Sequence, residues 1–91
     1  MVLELTAVKD QHKWAEYCQK VPATLAPWGA QLMFRGKLSA VFSGKHAHSD
    51  TVIIQFPDLE ALNNWHACAE YQSIIPLRLE AAEVDLLAFE E

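Results

Sequence analysis

Five side chains are of types that could do chemistry together: Trp65, His66, Tyr71 and Arg78 in the second half of the chain, and Arg35 in the first. Trp65 and His66 follow a single predicted helical turn, and Tyr71 and Arg78 are spaced so that a helix projects them from one side. An imidazole beside a guanidinium and a phenol can hold a carboxylate or a phenolate and move a proton near neutral pH, which makes His66 the candidate catalytic group. The same residues also read as structure, with Trp65 and Tyr71 in the core, His66 a satisfied polar residue at a helix end, and Arg78 paired with Glu70 or another nearby carboxylate. A guanidinium beside an apolar stripe is costly to bury alone, so Arg78 needs a partner, either internal or exogenous.

Other patterns are weaker. His46, His48 and Asp50 alternate and would share one face of an extended segment, as transition-metal ligands can, but no fourth ligand is evident and no metal is assigned. Ser39, Ser43, Ser49 and Ser73 have no identifiable base. There is no Gly-rich phosphate cradle, paired-cysteine zinc spacing or nucleophile elbow, and no cofactor is expected. Cys18 and Cys68 are too few for a disulfide framework and fall on predicted helix faces, where a thiol behaves as a small buried hydrophobe.

The clearest strand and the clearest helix start lie between Thr51 and Leu79. Val52, Ile53, Ile54 and Phe56 have the composition of a central strand covered on both faces, and Pro57 ends it. Asp58 then caps a helix whose Leu59, Leu62, Trp65, His66 and Ala69 recur at helical spacing. Tyr71, Ile74, Ile75, Leu79 and Ala82 continue the stripe, with a kink or restart expected at Pro76. At the start, Leu3, Leu5 and Ala7 alternate with Glu4 and Thr6, predicting a strand with one apolar and one mixed face. Asp10 caps the following helix, which carries Trp14, Tyr17, Cys18, Val21 and Leu25; Pro22 is expected to restart it, and Pro27 and Gly29 to close it. A second strand over 30–35 points Leu32 and Phe34 one way and Gln31, Met33 and Arg35 the other. Gly36 permits a bulge, Leu38 to Phe42 continue extended, SGKHAHSD turns the chain, and Val84 to Phe89 alternates as the last strand.

The order β-α-β-β-α-β over residues 1–91, a single domain, predicts a ferredoxin-like α+β sandwich with a four-stranded antiparallel sheet. Its uncovered face, by alternation, holds Glu4, Thr6, Met33, Arg35, Ile53 and Gln55. That mixture predicts a homodimer, sheet against sheet, enclosing a polar-lined cavity. A net charge of −5 with seven Lys and Arg argues against nucleic acid. No long apolar run or basic leader indicates a membrane or secretion, so the expected location is the cytoplasm.

Arg35-Gly36 after an alternating strand, IIQFPD at 53–58, Trp65, Glu70-Tyr71-Gln72 and Arg78 together resemble the domain-of-unknown-function family 1330 over nearly the whole chain. His66 stands where the family pattern has Tyr, Ala69 where it has Pro, and Gln55 where it has Glu; Pro76 interrupts a helix the family continues. The resemblance implies a dimeric α+β barrel, a group that also holds cofactor-independent monooxygenases, small isomerases, haem-handling enzymes and binding modules. Fold analogy yields a shape and a cavity but no mechanism. The expected function is binding of a small anionic or aromatic metabolite by Arg35, Trp65, His66, Tyr71 and Arg78, with cofactor-independent acid–base chemistry as the candidate reaction. The alternative is a non-catalytic dimerisation or regulatory module.

Overall fold

A computed structural model describes residues 1–90. The chain runs β1 (Val2–Val8), α1 (Gln11–Leu25), a 3-10 turn (Ala26–Trp28), β2 (Gln31–Lys37), β3 (Asp50–Gln55), α2 (Leu59–Ala67), α3 (Ala69–Gln72), α4 (Ile75–Ala81) and β4 (Ala82–Ala88). The strands form one sheet in the order β2-β3-β1-β4 with every neighbouring pair antiparallel, which is the expected ferredoxin-like arrangement.

Both predicted caps are present. Asp10 Oδ1 accepts from the Lys13 backbone N–H at 3.1 Å, and Asp58 Oδ1 from that of Ala61 at 2.7 Å. Of the two prolines, Pro76 restarts a helix as expected and Pro22 does not. Pro22 lies inside an unbroken α1, on its exposed side, where a helix can bend to accommodate the missing bond. Pro76 lies in the first turn of α4, where its missing N–H has no intrahelical partner to lose. The second helical region also breaks earlier, at Cys68, whose backbone is extended (φ −68°, ψ 150°). Gly29, at φ 66°, closes the first helical segment in the left-handed region that favours glycine.

β2 departs from its reading in a way that changes the sheet. The bulge falls between Leu32 and Phe34 and not at Gly36, so Leu32 pairs with Ile54 while Phe34 pairs with Ile53. The two apolar side chains therefore lie on opposite faces. Beyond Lys37 the strand does not continue; residues 38–49 form a loop, tied at its base by Leu38 N–H to Ser49 O at 2.7 Å, with Phe42 98% exposed.

The expected faces must be exchanged for β1. Val2, Glu4 and Thr6 are buried together with their register partners Ile54 and Val52, so this is the side the helices cover. Arg35, paired with Val52, joins that side. The open side carries Leu3, Leu5, Ile53, Phe34 and Leu87, along with Thr51 and Gln55. Of the six residues assigned to the open face by sequence, Ile53 and Gln55 belong there; Glu4, Thr6 and Arg35 face the helices, and Met33 falls at the bulge. β3 is likewise covered on one side within the chain, by way of Val52, Ile54 and Phe56, and not on both.

The covered side holds the core. Trp65, 1% exposed, packs at a tilt against Tyr71 with ring centroids 4.1 Å apart and against Phe56 at 5.2 Å. Its indole N–H donates to Thr24 Oγ1 at 3.0 Å, which joins α2 to α1.

Candidate functional site

A line of polar groups crosses this apolar core. Asp10 sets the phase of α1 so that Trp14, Tyr17 and Val21 point at the sheet, and Tyr17 comes down on β1 at Glu4. The break at Cys68 lets α3 turn Tyr71 inward, and α4 returns with Arg78 beside it. Arg78 Nη1 donates to Tyr71 Oη at 2.7 Å, the two tyrosine oxygens are 3.0 Å apart, and the Tyr17 hydroxyl donates to Glu4 Oε1 at 2.7 Å.

The direction of the central bond follows from proton counting. Each phenol has one proton, and Tyr17 uses its own on Glu4. Tyr71 therefore donates to Tyr17, and the order is Arg78 to Tyr71 to Tyr17 to Glu4. A cation and a carboxyl thus stand at the two ends of a pair of hydroxyls.

Burial decides the acid–base character of these groups. Glu4 is 2% exposed, and desolvation raises its pKa above the ordinary carboxylate value against the opposing pull of the Tyr17 hydrogen bond and the charges of Arg78 and Arg35. Burial and the neighbouring Glu4 push Tyr17 far up, and burial raises Tyr71, so both stay protonated and act as donors. Burial works against the Arg78 cation, but the oxygens of Tyr71, Tyr17 and Glu4 outweigh it.

Glu4 lies at the floor of a cavity of about 210 Å³ between α1 and β2. Tyr17, Cys18 and Arg35 supply its other polar groups, and Val21, Leu25, Leu32 and Val52 its apolar wall. Desolvation raises the Cys18 thiol, with Arg35 pulling the other way. The combination is a buried carboxyl with a raised pKa and a cation bordering a mainly apolar pocket, which can position an anionic head group and exchange a proton with the body it carries.

The five residues singled out from the sequence divide between two places. Arg35 lines the cavity with Glu4, whereas Trp65, His66 and Arg78 border a separate cleft of about 260 Å³ between α2, α4 and β4. Tyr71 is fully buried between them. His66 is exposed on α2, with its ring 5.8 Å from that of Tyr71. The internal partner of Arg78 is a phenol; among the described residues no carboxylate lies within ion-pair distance of it, and its Nε is buried without a partner. The sequence reading missed Glu4, Tyr17 and Cys18. A signal existed for Glu4: it is the sole charge in VLELTAV, a strand apolar at almost every other position.

His46, His48 and Asp50 do not converge. His48 Nε2 lies 2.9 Å from Asp85 Oδ2, and Asp50 Oδ1 accepts from Ser49 Oγ at 2.6 Å. Among the described residues no group of three or more metal-ligating side chains gathers, and no helix is long and apolar enough to cross a membrane.

Comparison with known proteins agrees with this architecture. The profile of the domain of unknown function DUF1330 matches residues 1–91, and the chain belongs to that family. Among solved structures, the protein of unknown function RPA0582 from Rhodopseudomonas palustris superposes with a TM-score of 0.79 at 13% identity, covering 99% of this chain and 81% of that one. HapK from Hahella chejuensis superposes with a TM-score of 0.67 at 16% identity, covering 99% and 90%. At these identities the likeness is one of fold. The sequence matches no curated protein.

Proposed function

We propose that this DUF1330 protein is a homodimer that binds a small anionic or aromatic metabolite in the cavity between α1 and β2, with Arg35 as counter-ion and Glu4 as the group that gives or takes a proton without a cofactor. The observation that carries the reading is the buried Glu4 carboxyl, held by Tyr17 and opening on a pocket that also contains a guanidinium. A carboxyl with a raised pKa is better matched to proton transfer near neutral pH than an ordinary one. A cavity of about 150 Å³ accepts benzene, so 210 Å³ suits a single-ring metabolite with one charged substituent.

Leu3, Leu5, Phe34, Ile53 and Leu87 on the open face support the dimer, since soluble monomers rarely leave a contiguous apolar sheet face bare. That face alone also supports the alternative, a non-catalytic dimerisation or regulatory module. The test is a thermal-shift screen of aromatic carboxylates and phenolates on the parent and on Arg35→Gln, an exposed position whose change leaves the core intact. A ligand that raises Tm in the parent and has little effect on the variant supports the site, because a binder of the folded state stabilises only while its site survives. Failure of every such compound leaves the interaction module as the reading, and an equal response in Arg35→Gln removes Arg35 as the counter-ion.

A further inference from the structure

The cleft beside Arg78 is distinct from the cavity at Glu4: the two share no lining residue. Arg78 uses Nη1 on Tyr71, keeps Nε buried and unpartnered, and among the described residues has no carboxylate within ion-pair distance, Glu4 acting on it only from the far end of the hydroxyl pair. An inward guanidinium with idle donors is incomplete without an anion. His66 and Asn63 border the same cleft and can add polar contacts to one.

We propose that the cleft binds a small oxyanion on Arg78 and His66, and that the Tyr71–Tyr17 hydroxyl pair couples its occupancy to the protonation of Glu4.

The coupling has a definite sign. The Arg78 charge favours the ionised form of Glu4, and an anion on Arg78 offsets that charge, so occupancy makes Glu4 hold its proton to higher pH. By reciprocity, protonated Glu4 tightens anion binding. The groups acting on Glu4 are Tyr17 of α1, Arg35 of β2 and Arg78 of α4, with Tyr71 of α3 joined to it through Tyr17 and Cys18 sharing its cavity. Because Tyr17 is held far above its ordinary pKa and Tyr71 is also raised, the pair transmits polarisation without ionising.

Sulfate is a suitable probe, since its charge is constant through the carboxylate range, with chloride at equal ionic strength as control. The Glu4 carboxyl is followed by carbon NMR across a pH titration and assigned by its absence in Glu4→Gln. In the parent, sulfate should bind saturably, bind about fivefold more tightly when Glu4 is protonated, and move the Glu4 titration upward. Arg78→Met should abolish both effects, and His66→Ala, at an exposed position, should weaken binding several-fold; the latter carries the test if the former fails to fold. Tyr71→Phe should still bind sulfate but show a smaller movement at Glu4, because the through-space charge of Arg78 remains while the hydroxyl path is cut. The proposal is overturned by the absence of saturable binding in the parent, by binding unchanged in the folded Arg78 and His66 variants, or by an undiminished Glu4 response in Tyr71→Phe. Ion binding and carboxyl titration do not depend on whether Glu4 acts on a substrate, so this test stands apart from the ligand screen.

Discussion

On the side of the sheet that the helices cover, β1 contributes Glu4 and Thr6; on the side left open, it contributes Leu3 and Leu5. The polar groups are inside and the apolar ones outside. Glu4 is held in the core by a hydroxyl donor and a line of hydrogen bonds ending on a cation, which offset part of the cost of its burial. On the open face Phe34 and Leu87 stay exposed, and Leu3, Leu5 and Ile53 are only half-buried among the described residues. The covered side finds its partner within the chain; on the proposed reading the open side finds its own in a second copy.

The contrast can be broken most severely through the packing that holds the covered side together. Trp65→Ala removes the ring that packs against Tyr71 and Phe56 and takes the donor from Thr24, and it should cost about 3–5 kcal/mol. Denaturant unfolding measures this, and a midpoint close to that of the parent would show that the helix layer is not organised around the indole.

A charge at the centre of the open side comes next. In a two-fold dimer Ile53→Asp places two carboxylates in one interface, which should lower dimer affinity by about a hundredfold, ~3 kcal/mol. Sedimentation should show this loss for Ile53→Asp and not for Gln19→Asp on the exposed side of α1. A parent that sediments as a monomer at micromolar concentration would remove the dimer.

Within the polar line, Tyr17→Phe leaves the Glu4 carboxyl and the Tyr71 hydroxyl short of a partner at once and should cost about 1–3 kcal/mol. Chemical denaturation at neutral pH tests this. A loss below about 0.5 kcal/mol would show that water replaces the phenol.

The smallest effect concerns pH. The folded state holds the Glu4 proton to higher pH than the unfolded chain does, so the contribution of this group to stability falls as pH rises from the ordinary carboxylate range through the raised value. Glu4→Gln keeps an acceptor for Tyr17 and removes the ionisation. Its Tm should therefore match or exceed that of the parent at pH 7–8 and lose the advantage at pH 4. Parallel pH profiles for the two proteins would show that Glu4 is ionised without penalty.

Local chemistry in the sequence determined the elements. Asp10 and Asp58 mark helix starts because a short side-chain acceptor before an apolar periodic run has one good use, and Pro57 ends a strand because it has no N–H to donate. The order of those elements was enough to imply the four-stranded sandwich. It was not enough to orient β1: alternation in VLELTAV favours burying the Leu3, Leu5 and Ala7 phase, yet the helices cover the phase that carries Val2, Glu4 and Thr6. The bulge at Met33 depends on pairing with β3, and it sends Leu32 and Arg35 to the covered side and Phe34 to the other. The candidate site depends on the same long-range register. Tyr71 and Arg78 could be paired from their spacing on adjoining helices, but Glu4 and Tyr17 meet them across the whole chain. Hydrogen bonds of that reach have no periodicity to announce them; only the docking of the helix layer on the sheet decides which polar groups end in contact.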